Sequence, residues 1–299
     1  MITALQKLKL TRVGHCPACK STAAKNPRFQ LRHFSVYLCP GCGLRYVDPS
    51  LDGASQMLLY NDPELLKEIN PALENYYDYE TLNPKSRTYA DYSKALAEAS
   101  RFAPGRRLLE AVCGTGSFLK FAASQGWDAT GVDSGSSNIQ AVREAGLKGI
   151  CSGFLEMAES DVYDCVVLWD LIEHPQDPVL FVEKAKKLLA PGGLLLIATP
   201  QYPNLLTVIG ETACKISGGK ITAPLEKLYI LEHVTYFGTE SLDKLVRQSG
   251  LQTAKVWKTE TDLKRYLFNP LTSLILRALF FAARLLGLQN RVILIARKA

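Results

Sequence analysis

Short apolar runs alternate with amphipathic stretches between residues 106 and 200. Four of these runs predict buried strands, at 107–112, 128–133, 163–169 and 194–199. Three stretches between them predict helices, at 117–124, 136–145 and 178–190, the last ended by Pro191-Gly192-Gly193. Nearly continuous apolar strands separated by helices are typical of a parallel sheet covered on both faces. The pattern therefore predicts an α/β fold with a doubly wound sheet.

The helix at 178–190 is expected to turn its apolar side chains inward, namely Leu180, Phe181, Ala185, Leu188 and Leu189. Further on, Thr239 is a candidate cap for a helix at 240–248, and the final strands are predicted at 251–258 and 291–296. The pattern divides the chain into three parts. These are a loop-rich module at 10–48, a helical connector or substrate cap at 49–103, and the α/β domain at 104–299, with a less regular lid insertion at 201–237.

Residues 271–286 are strongly apolar but contain Arg277 and Arg284. A membrane-spanning helix would not comfortably hold both cations, so we expect a helix packed on the domain or at a partner interface. The alternative is a helix that lies on a membrane surface and makes a peripheral contact. Tyr76, Tyr77 and Tyr79 precede the α/β domain and either cap the substrate pocket or pack in an aromatic core.

Composition narrows the class of protein. The chain has 299 residues, is 47% hydrophobic and 21% charged, and carries a net charge of +6. No basic stripe with interleaved aromatic residues is present, so a nucleic-acid partner is not expected. The N-terminus lacks the apolar segment of a signal peptide, which predicts a cytoplasmic protein, with association at the inner membrane face as the alternative.

Four cysteines form two Cys-x-x-Cys knuckles, Cys16–Cys19 and Cys39–Cys42. Each knuckle aims two thiolates at one point, and two knuckles complete the tetrahedral set that Zn²⁺ prefers. All four ligand positions would be occupied by protein, so the predicted zinc ion is structural rather than catalytic. A pair of redox-active dithiols is the alternative.

A glycine-rich turn, Glu110-Ala-Val-Cys-Gly114-Thr-Gly116, joins the first predicted strand of the α/β domain to its helix. Glycines there let the backbone approach a ligand closely. The next strand ends in Asp133, about where an acid that binds ribose hydroxyls is found in nucleotide-binding folds. The run Trp169-Asp170-Leu-Ile-Glu-His174 follows a later strand, and Leu189-Ala-Pro-Gly-Gly193 follows that.

This ordered set resembles the class I S-adenosylmethionine (SAM)-dependent methyltransferases, over about 84–258. Together with the N-terminal knuckles it is similar to bacterial enzymes that carry a zinc ribbon before a Rossmann-like methyltransferase domain. The resemblance implies SAM as the cofactor, with its methionine part beside Glu110, Gly114 and Gly116 and its ribose on Asp133. It also places Leu155 near the adenine, and Trp169 and Asp170 beside the sulfonium.

The chemistry requires a group that removes a proton from the methyl acceptor, and histidine suits that task. The resemblance to zinc-ribbon sugar methyltransferases implies His233 as general base, with Glu232 as its helper or a substrate ligand. His174 follows a strand end and is the second candidate. The implied substrate is a small metabolite or a glycan or lipid precursor, methylated at oxygen as by the similar quinone-biosynthesis enzymes. A nucleotide-sugar C-methyltransferase is the alternative.

One residue departs from the family pattern, because Val112 replaces the first glycine of the turn. If the backbone there has a positive φ, a β-branched residue is strained and cofactor binding is weakened. A second hypothesis is therefore a catalytically impaired scaffold or regulatory protein with a methyltransferase fold.

Overall fold

A seven-stranded sheet forms the centre of the molecule in a computed structural model that describes residues 7–22, 24–69, 83–266 and 268–299. Its strands are β6 (Arg107–Ala111), β7 (Asp128–Asp133), β8 (Lys148–Cys151), β9 (Tyr163–Trp169), β10 (Leu189–Pro200), β12 (Leu251–Thr259) and β13 (Arg291–Lys298). Their order is β12-β13-β10-β9-β6-β7-β8. Only β13 runs antiparallel to its neighbours within this sheet, so the five strands from β10 to β8 share one carboxyl edge.

Five helices cover the two faces of this sheet. They are α3 (Arg87–Phe102), α4 (Ser117–Ser124), α5 (Ser136–Glu144), α6 (Pro178–Leu188) and α9 (Thr239–Gln248). Alternate strand residues belong to two different core clusters, as Leu108 and Leu109 do. One cluster contains the buried residues of α3, α4 and α5, and the other contains those of α6 and α9. The predicted doubly wound α/β architecture is confirmed.

The N-terminal residues form a smaller, four-stranded antiparallel sheet. Its strands are β2 (Phe29–Gln30), β3 (Ser35–Leu38), β4 (Arg45–Asp48) and β11 (Thr235–Tyr236). A separate two-stranded ladder joins β1 (Leu10–Thr11) to β5 (Ser50–Leu51). Because β11 pairs with β4 through Thr235 and Tyr46, a segment next to His233 is held by the N-terminal sheet. The cysteine-bearing module is thus joined by strand pairing to a segment that is distant in the sequence.

Three further segments complete the described fold. The connector after β5 contains α1 (Gly53–Asn61) and α2 (Pro63–Ile69), whereas Tyr76, Tyr77 and Tyr79 lie outside the described residues. The segment predicted to be irregular contains α7 (Leu205–Ile216), which begins with a capping box at Asn204, and the short α8 (Ala223–Glu226). The apolar segment near the C-terminus forms α10 (Pro270–Leu286), between β12 and β13.

Three local predictions were wrong in detail. The helix α6 ends at Leu188, and Pro191-Gly192-Gly193 forms an irregularity inside β10 rather than a helix stop. Leu180 is exposed on α6, because Val182, Ala185 and Leu188 already form its buried face. The cap of α9 is Gly238 rather than Thr239: the Gly238 N–H donates to the hydroxyl of Ser241, three residues further on.

Candidate active site

The glycine-rich turn leaves β6 in a conformation that few residues adopt. Val112 has a φ of 53°, Gly114 of 53° and Gly116 of 80°. Glycine takes such angles freely, whereas a β-branched residue is strained there by about 1–3 kcal/mol. Val112 is 47% exposed, so no tight packing of its side chain offsets this strain. The positive φ considered in the sequence analysis is therefore present.

Asp133 at the end of β7 holds the turn in place. Its Oδ2 accepts a hydrogen bond from the Gly114 N–H at 2.9 Å. Its Oδ1 accepts from the Gly135 N–H at 2.8 Å and from the Asn138 side chain at 3.1 Å. A carboxylate offers about four acceptor positions, so one remains for a ligand hydroxyl. Asp133 thus shapes the glycine turn in addition to any contact with ribose.

The N-terminus of α4 has the features of a site that binds an anion or a polar ligand. Its N-cap is Gly116, which has no side chain to satisfy the free N–H groups of the first turn. A Cβ placed on Gly114 would meet open space, so a ligand can approach this backbone closely. Next to the turn, Oε2 of the buried Glu110 lacks a hydrogen-bond partner in the described part of the chain. Burial raises the pKa of this carboxyl well above its usual value. These groups fit a polar, nucleotide-like cofactor.

The other predicted cofactor residues occupy positions around the same edge of the sheet. Trp169 ends β9 and packs edge-on against Tyr92 at 4.7 Å and in a stack with Phe118 at 5.3 Å between ring centroids. Asp170 follows it with a φ of 50°, and its Oδ1 accepts a hydrogen bond from Arg291 at 2.6 Å. Leu155 is half-buried in the turn after β8.

Two histidines from distant parts of the sequence meet beyond β9. The Val234 and Thr235 N–H groups both donate to the carbonyl oxygen of Glu173, at 2.9 and 3.0 Å. This pairing brings the rings of His174 and His233 to 4.7 Å between centroids, edge to face. The structure therefore brings together the three residues that the sequence suggested for acid–base chemistry, since Glu232 is the neighbour of His233.

The hydrogen bonds of His174 indicate a positioning contact. Its Nδ1 lies 3.0 Å from the carbonyl oxygen of Glu232 and 2.6 Å from the hydroxyl of Tyr60. A carbonyl oxygen can only accept, so the Nδ1 of His174 carries the hydrogen. Tyr60 comes from α1, and no sequence pattern marked it as a site residue. The second contact of α1 is the Gln56 side chain, which donates to the His174 carbonyl at 2.7 Å.

Burial controls the charge of this cluster. It lowers the pKa of His174. It also holds the pKa of His233 well below the usual value, and the charges of His174 and Arg291 lower the pKa of His233 further. Glu173, whose Oε2 accepts from the Thr199 hydroxyl at 2.8 Å, has its pKa raised by burial to about 8. At neutral pH the two imidazoles are neutral and Glu173 is largely protonated. The Nδ1 of His233 is buried and meets no hydrogen-bonding group among the described residues.

Glu173, His174 and His233 also have the donor atoms of a metal site, all within 4.8 Å of one another. A metal ion would require Glu173, whose pKa burial raises to about 8, to lose its proton. The existing hydrogen bonds favour acid–base chemistry at this cluster.

The four knuckle cysteines converge as well. Their sulfur atoms lie within 4.8 Å of one another, with Cys16–Cys42 and Cys19–Cys39 both at 3.5 Å. Sulfurs at the corners of a zinc tetrahedron are about 3.8 Å apart, given Zn–S bonds of about 2.3 Å. Each knuckle is closed by a residue of positive φ, Lys20 in the first and Gly43 in the second. The hydrogen bond with Cys42 and burial both raise the pKa of Cys16. Burial also acts on Cys39, but hydrogen bonds, first that of Ser21, lower the pKa of this thiol to about 6, so it ionises readily beside the others.

Comparisons with known proteins agree with this geometry. A family model described as a methyltransferase domain matches residues 85–256. A ubiquinone biosynthesis O-methyltransferase of Psychrobacter arcticus is 30% identical over 218 residues, 69% of this chain and 78% of the relative. Its counterpart in Pectobacterium carotovorum is 27% identical over 184 residues, 56% of this chain and 69% of the relative.

Among solved structures, the 1,6-didemethyltoxoflavin-N1-methyltransferase of Burkholderia thailandensis superposes with a TM-score of 0.53. The two share 14% sequence identity, and the superposition covers 92% of this chain and 99% of the other. This likeness concerns the fold, and that structure contains S-adenosylhomocysteine. The chain belongs to the methyltransferase domain family and is a SAM-dependent methyltransferase.

The strain at Val112 leads to a first prediction. Val112→Gly removes a β-branched residue from a left-handed backbone conformation, which should raise the free energy of unfolding by about 1–3 kcal/mol. Glycine makes the unfolded chain more flexible, which lowers the free energy of unfolding by only about 0.5–1 kcal/mol. We expect the variant to unfold at a higher urea concentration and to bind SAM more tightly by calorimetry.

Val162→Gly is the matched control, because Val162 is also 47% exposed but does not have a positive φ. That variant should lose stability, since it relieves no strain. Equal losses of stability in the two variants would contradict the strained conformation.

Proposed function

We propose that this methyltransferase transfers the methyl group to a hydroxyl oxygen of a small metabolite or of a glycan or lipid precursor. The observation that carries the proposal is the pair of neutral histidines at the carboxyl edge of the sheet, where ligands bind in open α/β folds. The names of the two relatives, both O-methyltransferases of ubiquinone biosynthesis, support oxygen as the accepting atom.

We assign the cofactor site to the turn between β6 and α4 and to the strand ends beside it. SAM supplies a methyl group already activated on a sulfonium, so the protein has only to bind and align the two reactants. Glu110, Gly114 and Gly116 would line the methionine part, and Asp133 would accept from a ribose hydroxyl. The remaining contacts would come from Leu155 at the adenine and from Trp169 and Asp170 near the sulfonium.

His233 is our candidate for the general base. Its buried Nδ1 has no protein partner in the described ranges, and we assign to this atom the removal of the proton from the acceptor hydroxyl. His174, fixed by Tyr60 and by the Glu232 carbonyl, would act as a positioning residue for the His233 ring. Glu232, which is buried beside it, would orient the base or bind the acceptor.

The reaction class can be tested with labelled SAM and a panel of acceptors. Methyl-tritiated SAM is incubated with catechols, alkyl-substituted catechols and nucleotide sugars, and the products are identified by mass spectrometry and NMR. Label on oxygen is the expected result. Label on a sugar carbon would favour the C-methyltransferase alternative, and absence of SAM binding at millimolar concentration would favour the impaired scaffold.

The pKa of His233 leads to a pH prediction. Because its pKa is lowered, His233 stays neutral through neutral pH and can act as a base there. It becomes protonated only below the usual histidine pKa of about 6.5. The rate with the best acceptor should therefore be level down to about pH 6.5 and fall in more acidic solution. His233→Asn should lower kcat about 10²–10⁴-fold, leave SAM binding within about twofold, and abolish the acid limb.

His174→Asn is the comparison, because it removes a positioning contact but leaves the base. It should lower kcat less and keep the acid limb. A His233→Asn enzyme with an unchanged pH profile would exclude His233 as the base.

We also propose that Cys16, Cys19, Cys39 and Cys42 hold one structural zinc ion. Metal analysis of the purified protein should find about one zinc per chain. Cys16→Ser/Cys19→Ser should lose it and unfold at lower temperature, because β11 and the His233 segment depend on the same small sheet. Cys151→Ser changes an exposed cysteine outside the cluster and should keep the zinc. Full zinc content in the double variant would refute the assignment.

Where the protein acts in the cell stays a prediction. Among the residues that the structure describes, no helix has the length and hydropathy of a membrane span. A cytoplasmic location is kept as part of the proposal.

A further inference from the structure

The helix α10 turns an apolar face outward. Six of its large side chains are between 51% and 74% exposed, namely Leu271, Leu274, Ile275, Phe281, Leu285 and Leu286. At 100° per residue they fall, with Ala278 and Ala282 among them, on one continuous arc of the helix. Phe280 and Ala283 form the opposite, buried side. An exposed apolar surface of this kind marks an interaction site.

The exposed face is held firmly in this orientation. The helix begins at a side-chain cap from Asn269 and ends at Gly287, which has a φ of 66°. Near its end, the Arg284 guanidinium donates two hydrogen bonds to Oε2 of the buried Glu260, at 2.8 and 2.6 Å. Just after it, the Leu288 carbonyl accepts from the Leu205 N–H of α7 at 2.9 Å. The helix is thus fixed to the domain through its buried side, and its apolar outer side is presented to a partner.

The helix lies at the same edge of the sheet as the candidate active site. It connects the end of β12 to the beginning of β13, and the first residue of β13 is Arg291. Arg291 pairs with Asp170, which follows the carboxyl end of β9. The ends of α10 and the candidate active site therefore belong to the same edge of the sheet.

Charge along the sequence indicates the kind of partner. The chain has 35 Lys and Arg against 29 Asp and Glu. Seven of the cations and none of the acids lie between 263 and 299, which leaves 28 cations against 29 acids in the rest of the chain. Of these seven, Arg284 and Arg291 are paired with Glu260 and Asp170, and Arg297 and Lys298 lie at the far end of β13. Lys264, just before the helix, and Arg277 on it are exposed. Arg277, at the edge of the apolar arc, is exposed and has no ion-pair partner in the described part of the chain.

We propose that the outer face of α10 docks on the surface of a membrane that contains anionic phospholipid, with the helix lying in the interface. Leucine and phenylalanine facing outward, with arginine beside them, have the chemistry of interfacial helices. The exposed cations Lys264 and Arg277 would attract the acidic headgroups. This inference concerns docking alone and does not depend on the methyl acceptor.

The charge also disfavours a second copy of the chain as the occupant. The helix has 17 residues and its centre is near Ala278. A symmetric antiparallel pair of α10 helices crossing there would bring the two Arg277 guanidinium groups together, without an acidic residue on either helix to separate them. A membrane of anionic lipids offers acyl chains to the apolar side chains and acidic headgroups to the arginine.

Vesicle flotation tests the proposal with the full-length protein. One set of vesicles contains phosphatidylcholine alone, and the other contains phosphatidylglycerol and phosphatidylcholine in equal amounts. We expect binding to the anionic vesicles at least tenfold stronger than to the neutral ones, and weaker at high salt. Phe281→Glu/Leu285→Glu should reduce binding to the anionic vesicles at least tenfold, and Arg277→Ala should reduce its salt dependence.

Val162→Glu is the control, because it places a charge on an exposed apolar residue at the amino end of β9, the opposite edge of the sheet. It should bind vesicles as the parent does. Thermal unfolding and SAM calorimetry check that the α10 variants keep their fold, and these readouts also separate a failure of docking from a failure of the proposed activity.

Three results would overturn the proposal. The first is no binding to either kind of vesicle. The second is an equal loss of binding in Val162→Glu. The third is light scattering that shows a dimer of the parent and a monomer of Phe281→Glu/Leu285→Glu, since that result assigns the face to a second copy.

Discussion

One carbonyl group joins the three parts of this protein. The Glu173 oxygen, just beyond β9, accepts from the N–H groups of both Val234 and Thr235. Thr235 pairs in turn with Tyr46 in the cysteine-bearing sheet, and His174 is held by Tyr60 of the connector. Contacts from the N-terminal module, the connector and the central sheet thus all meet at the paired histidines. The cysteine cluster is thus linked to the histidine pair through backbone pairing, without a direct contact.

Backbone strain is concentrated at the same edge. Three residues other than glycine have positive φ, Lys20, Val112 and Asp170, among the ranges that the structure describes. Val112 follows β6 and Asp170 follows β9, and these two strands are neighbours in the sheet. Unfavourable conformations of this kind persist only when the surroundings determine them, and they are typical of functional sites. At Asp170 the hydrogen bond with Arg291 supplies that support, whereas Val112 has no comparable contact and depends on the turn around it.

The central sheet and the cysteine cluster could be predicted from the sequence because both depend on local patterns. The bounds of β7, β9 and α4 agree with the apolar runs residue by residue, since each element is buried on the face that its period defines. The end of α6 could not be predicted, because the apolar residues at 188 and 189 suit a helix and a strand equally well. Which of them continues into β10 is decided by pairing with Tyr163, a contact distant in sequence.

The site was less predictable for the same reason. Its histidines were recognisable by residue type and neighbouring motif, but Tyr60 and Gln56 lie in an unremarkable helix, and their role depends on how α1 packs. Whether Val112 is strained depends on the sign of its φ, and that sign is a property of the folded turn. Likewise, the apolar segment near the C-terminus predicted a helix but not which of its faces would be left uncovered.

The histidine pair has a further electrostatic property. Two imidazoles 4.7 Å apart in a poorly solvated pocket cannot both be charged, because each imidazolium lowers the pKa of the other. The pair therefore takes up one proton at a time, and Arg291 opposes even the first. Since the Nδ1 of His174 already donates to the Glu232 carbonyl, this ring would take up a proton at Nε2, whereas the Nδ1 of His233 meets no hydrogen-bonding group in the described part of the chain. Glu232, in contrast, acts on His174, whose pKa its charge and its carbonyl both raise against the effect of burial.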